Sequence, residues 1–346
     1  MTGQAVAPTP AAPSGSDAAE PAVPPAGGGI GRARPVAAAA VSVAVLLAVP
    51  FVAPPDLTNA LTRIVALAVL AVSLDLLVGV AGLPSLGHAA PFGVGAYAAA
   101  VTARDVTTFA PAQLGVALLA GAAFSLVVGA VVVRSRGTYL LMLTLAVSEL
   151  VHALAGRWEA VTGGTNGLAG IPAIRLVPGG EPVRLAGIRY WYVLVVALLL
   201  FGVVVVVSRS AFGRTLRGIR DNEERMTSLG YSAFRAKLTV FVIAGALAAG
   251  GGSLYVSQVR FVTPGDVGFE LSALALLAVV IGGRGSLWGA VVGTGLVFYV
   301  RDELGPLLGG RGGLLLGVVF ILAVYLLPRG VAGVPARLAG RRGTAS

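Results

Sequence analysis

The sequence predicts an all-α fold, a polytopic transmembrane helical bundle of about ten spans (eight to ten), and three observations predict it. The 346 residues are 56% hydrophobic and only 12% charged, about half the charged share of a soluble domain, so too few polar side chains exist to cover a core in water. Apolar stretches near the ~20 residues needed to cross a bilayer recur along the chain. Arginines punctuate those stretches and form no stripe with aromatics, which is the pattern that membrane topology imposes.

Taken in order, residues 1–35 are rich in Ala, Pro, Gly and Ser. That composition cannot offset the entropy of folding, so a disordered cytoplasmic tail is expected. No apolar stretch occurs before Val36, so a signal peptide is not expected. The membrane domain is expected over 36–328, with spans at about 36–53, 57–80, 82–103, 111–133, 138–155, 190–207, 238–257, 271–283, 287–300 and 312–327. The third is the weakest, being interrupted by Pro84, Pro91 and several glycines. Splitting the eighth from the ninth at Gly282-Gly283-Arg284-Gly285-Ser286 keeps the basic tail 329–346 inside with Arg134, Arg136 and the cations of 208–237, as the charge rule favours. The loop 156–190 then lies outside.

Several function classes are excluded or weakened by composition. The net charge of +10 comes from scattered arginines, so nucleic acid is not an expected partner. Absence of cysteine excludes disulfides and thiolate sites, and His88 and His152 are too few and too far apart for a histidine metal site. No metal, cofactor or catalytic residue is expected. Lys237 is the only lysine and no glycine-rich loop precedes it, so the chain has no Walker A motif and cannot be a P-loop ATPase by itself. Hydroxyls such as Ser85 and Ser148 have no base beside them in the sequence, which leaves an intramembrane enzyme without a nucleophile.

Ionisable residues inside spans are expensive and point to function by default. Arg63 lies near the outer end of the second span and can snorkel; Asp75 lies about a turn from its inner end. Glu149 sits deeper, three residues before His152 on one helical face. A structural Glu149–His152 contact, or one to Arg63, is expected ahead of a proton relay. The loop 208–237 is the long charged cytoplasmic segment. Leu216, Ile219, Met226 and Leu229 form an intermittent apolar face, and Gly230 stops the helix. Either it is a solvated basic loop, or it carries a short helix that docks on another protein, since 10–12 residues are marginal alone. In the outer loop, Thr162-Gly163-Gly164-Thr165-Asn166-Gly167 is turn chemistry, a bare surface turn or a contact for a partner.

Five blocks carry a family resemblance: Val78 to Tyr97, Arg136 to Ala146, Thr162 to Pro172, Phe212-Gly213-Arg214 through Gly230-Tyr231, and Gly282 to Gly289. From about Leu57 to Leu327, in order and spacing, the chain resembles LivM-type permeases of the branched-chain amino acid transporter family. It departs at Pro84 and Pro91 and in its long N-terminal tail. The resemblance implies an ABC importer permease with no enzymatic activity of its own, in the inner membrane of a bacterium. Its implied partners are two ABC ATPase subunits, a second LivH-type permease and an extracytoplasmic solute-binding protein.

Carried residue by residue, the resemblance assigns Arg217, Asp221, Asn222, Glu223, Glu224 and Gly230 to ATPase coupling. Ser85, Gly87, His88, Gly93 and Gly95 become candidates for the translocation path, and Thr162, Gly163, Gly164 and Asn166 for the binding-protein contact. The implied cargo is a branched-chain amino acid or a related small solute, with urea or a short amide as the alternative. An ion-coupled secondary transporter is the rival from another class, but it has no need of a docking helix and would show repeats that this chain lacks.

Overall fold

A computed structural model describes residues 46–51 and 53–305, with 317, 318, 321 and 330 beyond them. Both expected tails, most of the expected first span and nearly all of the tenth lie outside these residues. The described elements below belong to one unit, Ala48–Ser346. Among the described residues they are helical, with two isolated β-bridges, Phe109 to Arg175 and Leu168 to Val262.

Helix α1 is Pro55–Asp75, continued by a π-helical turn Leu76–Ala81. Then follow α2 (Ala89–Asp105), α3 (Ala110–Val132), α4 (Gly137–Arg157) and the single turn α5 (Glu159–Thr162). After the loop come α6 (Ala186–Arg209), the short helices α7 (Ala211–Asp221) and α8 (Glu223–Ser228), and α9 (Ala233–Val259). The last are α10 (Phe269–Gly282) and α11 (Leu287–Tyr299), which ends in a π-helical turn Val300–Leu304.

Five of these are long and apolar enough to cross a membrane: α1 with its π-turn, α3, α4, α6 and α9. The expected third, eighth and ninth spans are helices of 17, 14 and 13 residues. At 1.5 Å per residue, the last two are about 20 Å long, short of a ~30 Å hydrocarbon core. The expected third span is helical only from Ala89. Residues 82–88 are not helical, and Pro91 falls in the first turn of α2, where its missing N–H breaks no helical bond.

Burial separates a centre from a periphery. In their most apolar windows α1 is 89% and α9 72% buried, against 22–28% for α3, α4 and α6. Small residues make the centre possible. A methyl group on Gly95 of α2 would overlap Ala249 of α9, and one on Gly121 of α3 would overlap the same alanine. Gly252 stands equally close to Phe92, and Gly251 to Ala66 and Val69 of α1. In lipid, such close van der Waals approach replaces the hydrophobic drive between helices. The outer helices present Leu119, Val127, Leu150, Leu199 and Val206 at their surfaces, as lipid-facing helices do. Helices α10 and α11 pack against each other as a hairpin around the glycine turn, and both lie against α1.

Candidate functional site

The charged segment 208–237 contains two short helices where one was expected. Asn222 breaks them apart: its backbone is extended (φ −157°) and its side-chain oxygen accepts the amide of Arg225 at 2.9 Å, capping α8. Asn favours an N-cap over a helix interior for this reason, and Glu223 and Glu224 complement the helix dipole in the first turn. Ser210 caps α7 in the same way, accepting from Gly213 at 3.2 Å.

The two helices are held differently. On α7, Leu216 and Ile219 are buried, and Arg217 donates to Ser208 O at 3.0 Å. On α8 no residue is buried. The apolar face expected from Leu216, Ile219, Met226 and Leu229 is thus divided. Its first half packs on this chain, Met226 lies against Gly218, and Leu229 is 65% exposed. Glu223 is tied down by Lys237 at 2.7 Å and Arg136 at 3.3 Å, whereas Glu224 is exposed. Asp221 is exposed and pairs only with its neighbour Arg220 at 3.0 Å. Gly230 takes a left-handed φ of 89°, and its amide bonds Thr227 O at 2.9 Å, closing the C-terminus of α8. Tyr231 and Phe234 follow, both exposed, with Arg134 stacked 5.5 Å over the Phe234 ring.

Beneath this surface lies a junction that the sequence did not reveal. Arg220 at the end of α7 donates to Gly79 O in the π-turn at 2.5 Å, and its methylenes lie over Gly82. Gly82 has φ 70°, a left-handed turn that ends the π-helical segment. On its other side Gly79 abuts Gly285 of the α10–α11 turn, leaving no room for a side chain. Asp75, fully buried, accepts the Gly285 amide at 2.8 Å. Three of the five resemblance blocks therefore meet at one point, through Gly79, Arg220 and Gly285. Asp75 carried a signal as an intramembrane carboxylate; Arg220 carried none, being one of seven cations in its loop.

Three of the candidate path residues, Ser85, Gly87 and His88, lie in the 82–88 segment between α1, α4 and α10. Ser73 Oγ donates to Leu70 O at 2.8 Å and stands 3.0 Å from His88 Nε2. Ser85 and His88 are both buried, and Ser85 Oγ accepts from Gly87 N at 3.3 Å. Gly87 lies against the Thr144 backbone, and Thr144 Oγ1 accepts from Leu86 N at 3.1 Å. Ser272 of α10 accepts from Ala89 N at 2.9 Å, satisfying an amide at the start of α2. Gly93 faces Val267 and Gly95 faces Ala249, so each marks a close helix approach.

Glu149 and His152 do not contact each other. Glu149 accepts from Phe269 N at 3.2 Å and His152 Nδ1 donates to Pro264 O at 2.8 Å, so both fasten α4 to the segment before α10. Arg63 pairs with Asp302 at 3.4 Å and Glu303 at 3.1 Å, not with Glu149. These partners lay some 240 residues away in sequence, beyond the reach of any local pattern.

The turn of residues 162–167 is built on Thr162. Its hydroxyl bonds Ala155 O at 2.6 Å and Trp158 O at 2.7 Å, and it accepts from Gly164 N at 3.3 Å. Gly163 and Gly164 take φ 74° and 65°, while Asn166 is exposed. The bridge between Leu168 and Val262 fastens this turn to the segment after α9. Among the described residues no group of three or more His, Asp or Glu stands close enough to hold a metal ion.

Comparison with known proteins bears on this arrangement. The family described as "Branched-chain amino acid transport system / permease component" matches residues 57–324. The high-affinity branched-chain amino acid transport system permease protein LivM of Escherichia coli (strain K12) is 30% identical over 304 residues, 82% of this chain and 71% of that protein. The corresponding permease BraD of Pseudomonas aeruginosa is 33% identical over 141 residues, 40% of this chain and 45% of that one. An autoinducer 2 import system permease, LsrC of Klebsiella pneumoniae, is 38% identical over 106 residues, 29% of this chain and 30% of its own. No solved structure matches significantly.

Proposed function

Because the chain belongs to the branched-chain amino acid transport system permease family, we propose that it is one membrane-spanning half of an ATP-driven importer in a bacterial inner membrane. Its cargo is a branched-chain amino acid. A LivH-type permease forms the other half, two ABC ATPases bind the cytoplasmic face, and a solute-binding protein delivers from outside to the surface around Asn166.

The observation that carries this reading is α8. A helix of six residues with no buried side chain is far too short to be stable by propensity. It is capped at both ends, and it presents Glu224, Leu229 and Tyr231 to solvent. Such a surface supports docking on a partner. Nucleotide-driven movement of the ATPases would shift α8 and α7 together as a rigid body. Arg220 would pass that shift to the π-turn of α1, and Gly79 with Asp75 would pass it to the α10–α11 turn. The buried α1 would then carry it into the bundle, moving the His88 region relative to α4.

The test is uptake into proteoliposomes holding this chain, its second permease and the ATPases, supplied with loaded binding protein. Leucine uptake that requires ATP, and that Glu224→Arg or Gly230→Pro abolishes while the protein still inserts, is the expected result. Uptake of urea but not leucine would move the cargo to the amide class. Uptake driven by an ion gradient with no ATPase present would overturn the reading.

A further inference from the structure

Toward the end of α1 opposite Asp75, a cleft of about 580 Å³ is lined by Arg63, Tyr255, Asp266, Glu270 and Arg301 together with Leu67 and Leu271. Arg63 is 12 residues before Asp75 on one helix, so the cleft lies roughly 18 Å along the axis from the cytoplasmic junction. It also lies below the outer rim of the bundle. Glu149, which receives the Phe269 amide, precedes the end of α4 by eight residues, or about 12 Å. Ser148 Oγ donates to Val267 O at 3.1 Å at the same depth. The non-α-helical stretch between α9 and α10 therefore descends along α4 into the membrane zone. Irregular backbone at that depth persists only against protein or beside water, and this stretch lines the cleft through Thr263, Gly265 and Asp266.

The charges of the cleft are of both signs, and most are already paired. Arg63 holds Asp302 and Glu303, while Asp266 accepts from Tyr255 at 3.3 Å and from Thr263 at 2.8 Å. Two groups keep unused capacity. Glu270 makes no hydrogen bond or ion pair among the described residues. Arg301 pairs through Nε with Asp302 at 2.6 Å and stands 5.1 Å over the Phe298 ring, and its terminal nitrogens make no hydrogen bond among the described residues. A carboxylate and guanidinium nitrogens without hydrogen-bond partners among the described residues, in a cleft also lined by two leucines, complement a molecule with an ammonium, a carboxylate and an aliphatic side chain.

We infer that this cleft is the extracytoplasmic receiving site for a zwitterionic α-amino acid, the ammonium on Glu270, the carboxylate on Arg301 and the side chain on Leu67 and Leu271. The inference rests on the transport reading and narrows its substrate class, since urea has no use for a charge pair.

The test uses the complete importer in proteoliposomes with binding protein and radiolabelled L-leucine, and reads leucine imported per ATP hydrolysed. Glu270→Gln and Arg301→Gln each lower that ratio at least tenfold while ATP hydrolysis stimulated by loaded binding protein stays at the wild-type rate. Arg301→Lys keeps the charge but loses the fork, and falls between. An unchanged ratio in both Gln variants overturns the inference, and so does a parallel fall of transport and hydrolysis, which marks the residues as structural. A wild-type complex that imports no amino acid overturns the transport reading itself, and this inference with it.

Discussion

Helices α7 and α8 are separated by a single residue, yet one is built into the bundle and the other lies on its surface. Helix α7 buries Leu216 and Ile219 and reaches through Arg220 into the π-turn of α1. Helix α8 buries nothing and is held by caps and by the Glu223–Lys237 pair. The apolar positions of the segment, Leu216, Ile219, Met226 and Leu229, share one pattern in the sequence, so the pattern alone does not say which of them are buried. On the proposed coupling role, the segment has two parts, an anchor that belongs to the chain and a contact left for a partner, with a helix break capped by Asn222 between them.

That division can be broken from either side. Gly79→Leu drives a side chain into the Gly285 backbone and Asp75, where neither can move aside, so no monodisperse transporter should be recovered from detergent. Leu216→Ala removes a fully buried anchor and should cost about 2–5 kcal/mol of local stability, read as a lower thermal unfolding midpoint of the purified complex. Asn222→Ala removes the cap and should cost about 1 kcal/mol; hydrogen exchange at Arg225 should rise while α7 stays protected. Leu229→Ala should leave stability within about 0.5 kcal/mol, as exposed positions do, and yet lower ATP-dependent uptake at least tenfold. If Leu229→Ala destabilised the isolated chain as much as Leu216→Ala, the two helices would not differ as described.

Much of the fold was legible in the sequence because lipid imposes strong rules. Apolar length located α1, α3, α4, α6 and α9, and the glycine run Gly282 to Gly289 correctly marked a break between α10 and α11. The start of α2 was misplaced because hydropathy cannot see that residues 82–88 leave the helix; Pro84 and Pro91 were the visible clue. The candidate site was legible in its local parts, such as the Gly230 stop and the Thr162 turn, since both are short-range chemistry. Its long-range part was not. Arg63 pairs with residues of the α11 π-turn and Asp75 with the Gly285 amide, contacts of 240 and 210 residues' separation, and no periodicity encodes such distances. Glu149 and His152 share a helix face, as their spacing required, but each found a backbone partner on another segment.

The chain contains no cysteine, which makes a site-specific cross-link the most direct measurement of the central claim. Ser228→Cys and Thr227→Cys on α8, treated with a short thiol-to-amine reagent in the active complex, should yield an adduct with the ATPase subunit whose amount changes on ATP binding. Ile219→Cys on α7 should yield none. Adducts from the α7 position alone, or none from α8 in a complex that still transports, would contradict the account.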